Sequence, residues 1–444
     1  MREKKFREPA RDIPVIAEPD VLVAGGGVAG MAAAAAAARA GARVLLLERW
    51  GFLGGTVSAV TLGGFCGIWT LTPDELIPVV DVLFGELVDR MRGRDGVTAS
   101  RRWSKVASLP YDPTTVRLVA DEMLAAHGVE VLFHTWVADV AVEQGRVQAV
   151  FVENKGGRFA VRPRMVIDCT GDGDIAARAG APFELGSGGI TQFGSSMFRM
   201  ANVDMDTFGR ISRDEVSERL DAVVAAGTPL PRTMVALYPH PIDGVVHLNA
   251  TRVARRDGEP FDLTDPVELS EAEREGRRQA YLYESVLRQH MPGFEKARIV
   301  DIGAQIGIRE TRLIAGDHVL SADEVLGGAK PDDGIACSAW PVEVHGQGLK
   351  TIWKFLADGD YYRIPYRSLT PLGLSNVLVA GRCVSATHEA QASLRVSAPA
   401  MAMGEAAGMA AVMALAQGCD SRQVDVMVLQ AALEREGAIL RLPH

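Results

Sequence analysis

The chain has 444 residues, 48% hydrophobic and 23% charged, which is roughly two or three domains' worth of ordinary folded protein with ample core. That composition excludes a disordered chain, a collagen-like repeat and a small disulfide scaffold. With 47 Lys and Arg against 56 Asp and Glu the net charge is −9, so binding to a phosphate backbone gains nothing from overall charge and nucleic acid is not expected as a partner.

The opening MREKKFREPARDIP is charged and then broken by proline, without the apolar core of a secretory signal. The five cysteines, Cys66, Cys169, Cys337, Cys383 and Cys419, form no C-x-x-C pair. No metal site is therefore expected, and the sparse, odd count suits a reducing, cytoplasmic setting. The first strong signal is a short apolar strand, Val21–Val23, followed by Gly25, Gly26, Gly27, Val28, Ala29 and Gly30. A small-residue helix is predicted over Met31–Ala40, and a second strand, Val44–Leu47, ends in Glu48. G-x-G-x-x-G between strand and helix, with an acid closing the next strand, is the pattern of a dinucleotide site. Gly25 allows the tight turn, Gly27 opens backbone N–H groups to a pyrophosphate, and Gly30 lets the helix pack closely. Glu48 can accept from a ribose hydroxyl and would repel a 2′-phosphate, while the helix N-terminus favours the phosphates.

Two further strands end in glycine turns. Met165–Ile167 runs into Asp168-Cys169-Thr170-Gly171-Asp172-Gly173-Asp174, and Val377–Ala380 into Gly381-Arg382-Cys383. Three such points far apart suggest one nucleotide domain built from separate segments around a long cofactor, favouring FAD over NAD.

Between them, Asp243-Gly244 separates two apolar runs, Thr233–His240 and Val245–Arg252, and reads as a two-residue hairpin turn. Its register pairs Ile242 with Val245, His240 with His247 and Tyr238 with Asn249, and puts Tyr238, His240, His247, Asn249 and Thr251 on one face. Pro239 and Pro241 weaken that register. The face either meets a substrate or faces solvent. A second strand is predicted over Ile299–Thr311, with Ile302, Ala304, Ile306 and Ile308 alternating with Gly303, Gln305, Gly307 and Arg309. Arg309 either clamps a carboxylate or polarises a carbonyl, or else pairs with Glu310 or Asp317. Farther on, Pro399 falls where a helix begins; the Ala- and Gly-rich run Val396–Ala416, broken by Glu405, is not read as a membrane span.

The chain resembles the FAD-dependent oxidoreductases of the glutathione-reductase-like superfamily, distantly akin to fumarate reductase and succinate dehydrogenase flavoproteins. The likeness is carried by GGGVAG (25–30), LLLERWGFLGGT (45–56), DCTGDGDIAARAGAPFELG (168–186), IGIRETRLIAGDHVL (306–320) and VLVAGRCVSATHEAQASLRVSAPAMAMGEAAG (377–408). It implies an α/β fold in which a discontinuous Rossmann-like FAD-binding domain (15–186 and 360–444) carries an inserted α+β substrate or cap domain (187–359). It also implies that Gly25, Gly26, Gly27, Val28, Ala29, Gly30, Glu48, Arg49, Gly54, Gly55, Thr56, Val137, Thr170, Gly171, Gly381, Arg382 and Arg395 line the FAD site. Arg382 stands where the superfamily usually has Asp near the ribityl chain, so that carboxylate contact is absent or made differently. No His lies between Glu48 and Cys66, and the flavin is expected to be non-covalent.

The expected function is hydride transfer between a small polar organic substrate and that flavin. His388, in ATHEAQ, is the expected proton carrier, with a structural hydrogen-bonded role as its alternative. Arg395 and the N-terminus of the last long helix would stabilise the negative charge of reduced flavin. Arg309 joins them as catalytic, Asn249 and Arg309 contact substrate, and Cys66 reads as structural. A flavin-binding electron-transfer subunit needing a partner and an NAD-dependent dehydrogenase are the alternatives. No iron–sulfur cysteine spacing and no second complete dinucleotide motif are present. A small-molecule substrate and no membrane are expected; a homo-oligomer and an electron-transfer partner stay open.

Overall fold

The computed structural model describes residues 8–346 and 348–442; the first seven residues of the charged opening segment lie outside them. In chain order, β1 (Val21–Ala24) leads into α1 (Val28–Arg39) and β2 (Val44–Leu47). α2 (Pro113–Ala126) precedes β3 (Glu130–Leu132), and β4 (Met165–Asp168) precedes α3 (Asp174–Arg178). The middle of the chain forms β5 (Phe198–Ala201), α4 (Arg213–Ala225), β6 (Ala236–Pro239), β7 (Val246–Asn249), α5 (Pro266–His290) and β8 (Arg298–Ile302). The last major elements are β9 (Val377–Val379), α6 (His388–Leu394) and α7 (Ser397–Gln417).

Five of these strands form one all-parallel sheet in the order β9-β4-β1-β2-β3. β1 and β2 are continuous apolar runs because both sheet faces are covered, and each of their residues is buried. On one side α1 and α7 pack at very close range. A Cβ at Gly404 would fall on the Ala29 carbonyl, and one at Gly408 on that of Ala33, so only glycine admits this approach. By length and composition α7 passes for a membrane-crossing helix, yet 72% of its apolar window is buried inside the protein. Its apolarity is that of a core helix.

The sequence DCTGDGD after β4 is first a structural device. Both oxygens of the buried Asp168 are used: Oδ1 accepts from Thr170 N and Oγ1, and Oδ2 from Ile175 N (2.8 Å) and Ala176 N (2.9 Å). Those bonds fix the turn against the sheet end and cap α3.

An antiparallel sheet in the order β6-β7-β5-β8 has its own core, where Phe198, Met200, Leu248, Tyr283 and Phe294 meet under α4 and α5. Ile314, Leu320, Val325, Ile335 and Val342 pack instead with the parallel sheet.

Two strand expectations need correction. The hairpin exists, but its register is displaced by two residues, pairing Tyr238 with His247 and Ala236 with Asn249. Asp243 stays at negative φ, so the two-residue turn that needs positive φ at both centres does not form. Instead His240 N bonds Val245 O across a four-residue loop, Pro241–Gly244, with Gly244 at φ +73°. The Ile242 N–H is taken by His240 Nδ1 (3.0 Å), so the tighter ladder keeps only the bond from Val245 N to Ile242 O (3.3 Å). A shift of two preserves the faces. The strand expected over Ile299–Thr311 ends at Ile302. Beyond it Ala304 N bonds Ala59 O (2.7 Å), and a Cβ at Gly303 would stand 2.7 Å from Val60 O, so the backbone leaves the sheet to cross that segment.

Candidate active site

A cavity of about 520 Å³ starts at the C-terminal ends of β1, β2 and β4 and runs past the N-termini of α1 and α7 to the antiparallel sheet. At its near end Gly25 takes φ +96°, and a Cβ there would stand 2.4 Å or so from the Cys169 carbonyl, so the turn demands glycine. Gly27 is the N-cap of α1 with no side-chain cap, and a Cβ on it would meet nothing closer than Gly55 Cα at 3.9 Å. The first N–H groups of α1 therefore open onto space, as a phosphate cradle requires. Glu48, buried, accepts from Gly26 N (2.7 Å) and Trp50 N (2.8 Å), one bond on each oxygen. Burial raises its pKa and these N–H groups oppose the rise.

Of the residues expected at the cofactor, Gly25, Gly27, Val28, Ala29, Glu48, Arg49, Gly55, Thr56, Val137, Thr170, Gly171, Gly381, Arg382 and Arg395 line this cavity. Gly26, Gly30 and Gly54 stand behind the lining: Gly26 N serves Glu48, a Cβ on Gly30 would strike the Gly25 carbonyl, and Gly54 N bonds Gly26 O. Arg49 bonds Gln305 Oε1 and lies over the rings of Trp50 and Trp136. Arg382 binds Asp172 Oδ1 (2.7 Å), which also accepts from Thr311 Oγ1 (2.7 Å). The carboxylate beside this turn thus comes from the DCTGDGD loop, and Arg382 holds it ionised against burial.

The far end is rich in arginine. Arg309 donates to Phe193 O (2.8 Å), Ser195 Oγ (2.7 Å) and Asn249 Oδ1 (3.2 Å). Arg232 shares that Asn249 oxygen (3.3 Å) and binds Met234 O (2.8 Å). Arg395, between α6 and α7, makes two long contacts, to Gln192 Oε1 (3.5 Å) and Glu343 O (3.4 Å). Arg213 lies 3.7 Å over the ring of Trp103. One carboxylate joins them: Glu343 accepts from Trp340 Nε1 (3.1 Å) and lies 3.0 Å from His345 Nε2. Burial works against its charge, but His345 and the arginines Arg395 and Arg309 outweigh it and bring its pKa down to about 2. His345 is held well below its ordinary pKa by burial and by Arg309, and so stands neutral.

Asn249, Arg309 and Arg395 are therefore brought together on one wall. His388 is not: among the described residues it is outside the lining, with Nδ1 2.7 Å from Oε2 of the fully buried Glu310. Burial disfavours its charge, yet Glu310 prevails and the net shift is upward. His240 and His247 stack with centroids 5.0 Å apart and are buried, His240 on Asp112 (3.1 Å) and His247 under Thr61 O (3.4 Å), so they meet neither solvent nor the cavity. Cys66 lines the cavity, but burial drives its thiol well up. Sequence reading missed Glu343, His345, Arg232, Trp340 and Trp353. The one available signal was E-x-H at the end of the short strand Val342–Val344, whose alternation continued by one residue puts Glu343 and His345 on the same side.

A family model described as FAD dependent oxidoreductase matches residues 20–433. A comparison with curated proteins finds no match. Among solved structures the chain is similar to a geranylgeranyl bacteriochlorophyll reductase-like protein of Thermoplasma acidophilum, at 15% identity over 94% of this chain and 84% of that chain with TM-score 0.45. It is similar also to the p-nitrophenol 4-monooxygenase PnpA of Pseudomonas putida, at 13% identity over 96% of this chain and 88% of that one with TM-score 0.46. A third is CabE, an aromatic hydroxylase from angucycline biosynthesis, at 16% identity over 95% of this chain and 69% of that one with TM-score 0.48.

Proposed function

Because this chain belongs to the family of FAD-dependent oxidoreductases and is an FAD enzyme, we propose that it exchanges hydride between a small polar organic substrate and non-covalently held flavin. The observation that carries this reading is the single cavity joining the open N-terminus of α1 to the arginine-rich wall beyond α7. Its near end fits the cofactor: Gly27 leaves room for a phosphate, and each oxygen of Glu48 keeps a lone pair for a ribose hydroxyl. FAD, when bound, supplies hydride acceptance and donation at a ring nitrogen. Arg395 and the uncapped N-terminus of α7, where Val396, Ser397 and Ala400 line the cavity, would stabilise negative charge on the flavin when it is bound. Cys66 and Cys169, the lining thiols, are kept protonated by burial, which supports non-covalent attachment.

Arg309 and Asn249 orient the substrate. We assign the proton to His345 in place of His388, because His345 is on the wall. Glu343 accepts its Nε2–H, so that Nδ1, which faces only a long contact from Thr351 Oγ1 (3.5 Å), is the nitrogen that takes a proton, and Glu343 stabilises the imidazolium that results. Replacing His345 by Gln should leave flavin content unchanged and lower kcat about 100-fold or more; undiminished kcat refutes the assignment.

The same reading takes 15–186 and 360–444 as one discontinuous Rossmann-like FAD-binding unit and 187–359 as the substrate or cap unit. The separate core under α4 and α5 supports the insertion, while 314–359 packs with the first unit. Five free cysteines support a cytoplasmic setting.

A further inference from the structure

We propose that the far end of the cavity is a subsite for a planar aromatic carboxylate, a ligand class that deepens the flavoenzyme reading above and rests on it only for the chemistry after binding. Arg213, Arg232, Arg309 and Arg395 all line this end. Their hydrogen bonds go to carbonyl, hydroxyl and amide oxygens, none of which carries charge. One carboxylate, Glu343, stands among them and offsets part of their charge. Four guanidinium groups thus face a single anion, the excess buried positive charge is costly, and a further anion stabilises this end of the cavity. Arg395 would serve the flavin when it is bound; Arg232 and Arg309, joined through Asn249, would be left for the substrate.

Unpaired atoms point the same way. Arg213 Nε, Arg232 Nε, Arg395 Nε and Trp353 Nε1 are buried with no hydrogen-bond partner among the described residues, and all four are donors. The missing partner therefore supplies acceptors, as a carboxylate does. Arginine's planar fork matches such a group in a way that an ammonium does not.

The aromatic part of the inference comes from the rings in the same lining. Trp103, Trp340 and Trp353 line the same end, with Trp353 edge-on to Trp103 (5.8 Å) and Trp340 (6.1 Å). Arg213 closes over Trp103 at 3.7 Å. Tyr238 adds a fourth ring to the lining. A flat π system stacks on such a wall while its carboxylate reaches Arg232 and Arg309.

The probes are benzoate, its neutral isostere benzamide, and acetate, which has the charge without the ring. Tryptophan fluorescence reads binding in apoprotein and FAD-loaded protein alike, so a failure to take up FAD is seen separately, by absorbance, and strikes the cofactor reading alone. Saturable quenching by benzoate is expected, at least tenfold tighter than by benzamide or acetate. Arg309→Gln and Arg232→Gln should each weaken benzoate about tenfold or more, with Arg309→Lys intermediate. Equal affinity for benzoate and benzamide in the wild-type protein overturns the charge argument, whatever the variants do. Equal affinity for benzoate and acetate overturns the aromatic one.

Discussion

Replacing Gly27 by Ala separates folding from cofactor binding at the α1 N-terminus. Gly27 has φ −71° and ψ 179°, a conformation open to alanine, and the new methyl meets nothing nearer than Gly55 Cα at 3.9 Å. Alanine is a poorer N-cap than glycine, by several tenths of a kcal/mol, and restricting the unfolded chain returns a similar amount. Apoprotein stability should thus stay within about 1 kcal/mol of wild type. The same methyl occupies the space through which a phosphate must approach the first N–H groups of α1. Losing one hydrogen bond to a charged group costs about 1.5–3 kcal/mol, so FAD should bind roughly 10–150-fold more weakly. Titrating apoprotein with FAD, followed by flavin fluorescence, measures the affinity, and urea denaturation measures the stability. Gly30→Ala is the control, since its methyl would strike the Gly25 carbonyl and damage the fold itself. Wild-type FAD affinity in Gly27→Ala refutes the cradle; an unfolded Gly27→Ala apoprotein refutes the packing.

Acid should weaken the fold through His247, whose pKa falls from 6.5 to about 3 because burial, His240 and Arg199 all disfavour its charge. The unfolded chain binds the extra proton between those values, so stability is full above about pH 6.5 and falls as pH drops toward 3, by roughly 4 kcal/mol; His247→Phe should flatten that slope in denaturant titrations at several pH values. His388 has the opposite sign, its raised pKa giving stability that is full below about pH 6.5 and fades as pH rises through the folded value. His388→Ala leaves the buried Glu310 with only the Gln192 N–H (2.9 Å) and should cost about 3 kcal/mol in denaturation at pH 6, while the folded fraction keeps its flavin and kcat; lost turnover with retained flavin would return the proton to His388. Thiol labelling of native protein at pH 8 should modify the half-buried Cys419 first and spare Cys66, whose protonated thiol is unreactive; rapid labelling of Cys66, read by peptide mass, would contradict its burial.

The cofactor end was legible in sequence because backbone geometry there dictates residue type. A turn at φ +96° and a helix pressed against a carbonyl admit only glycine, and so Gly25 and Gly30 announce themselves. The far end is made by tertiary placement, which leaves no spacing to read. His388 lies in a matching motif yet turns to Glu310, whereas His345 sits in an unremarkable segment that the fold carries to the cavity wall. Arg232 and Arg309, 77 positions apart, meet only through Asn249. The hairpin is displaced by two residues, with the Ile242 N–H bonded to His240 Nδ1 in place of the ladder; since side chains alternate with period two, its faces survived the shift. Those faces could be assigned from sequence, but not what covers them: the histidines are buried under Gly63 and beside Asp112.

The absorption spectrum of the purified protein, followed by heating and analysis of the supernatant, tests the central claim most directly. The account predicts flavin bands in the native protein and intact FAD in the supernatant, leaving a colourless precipitate. A colourless protein that takes up no added FAD contradicts the cofactor assignment, and flavin that stays with the precipitate contradicts non-covalent binding.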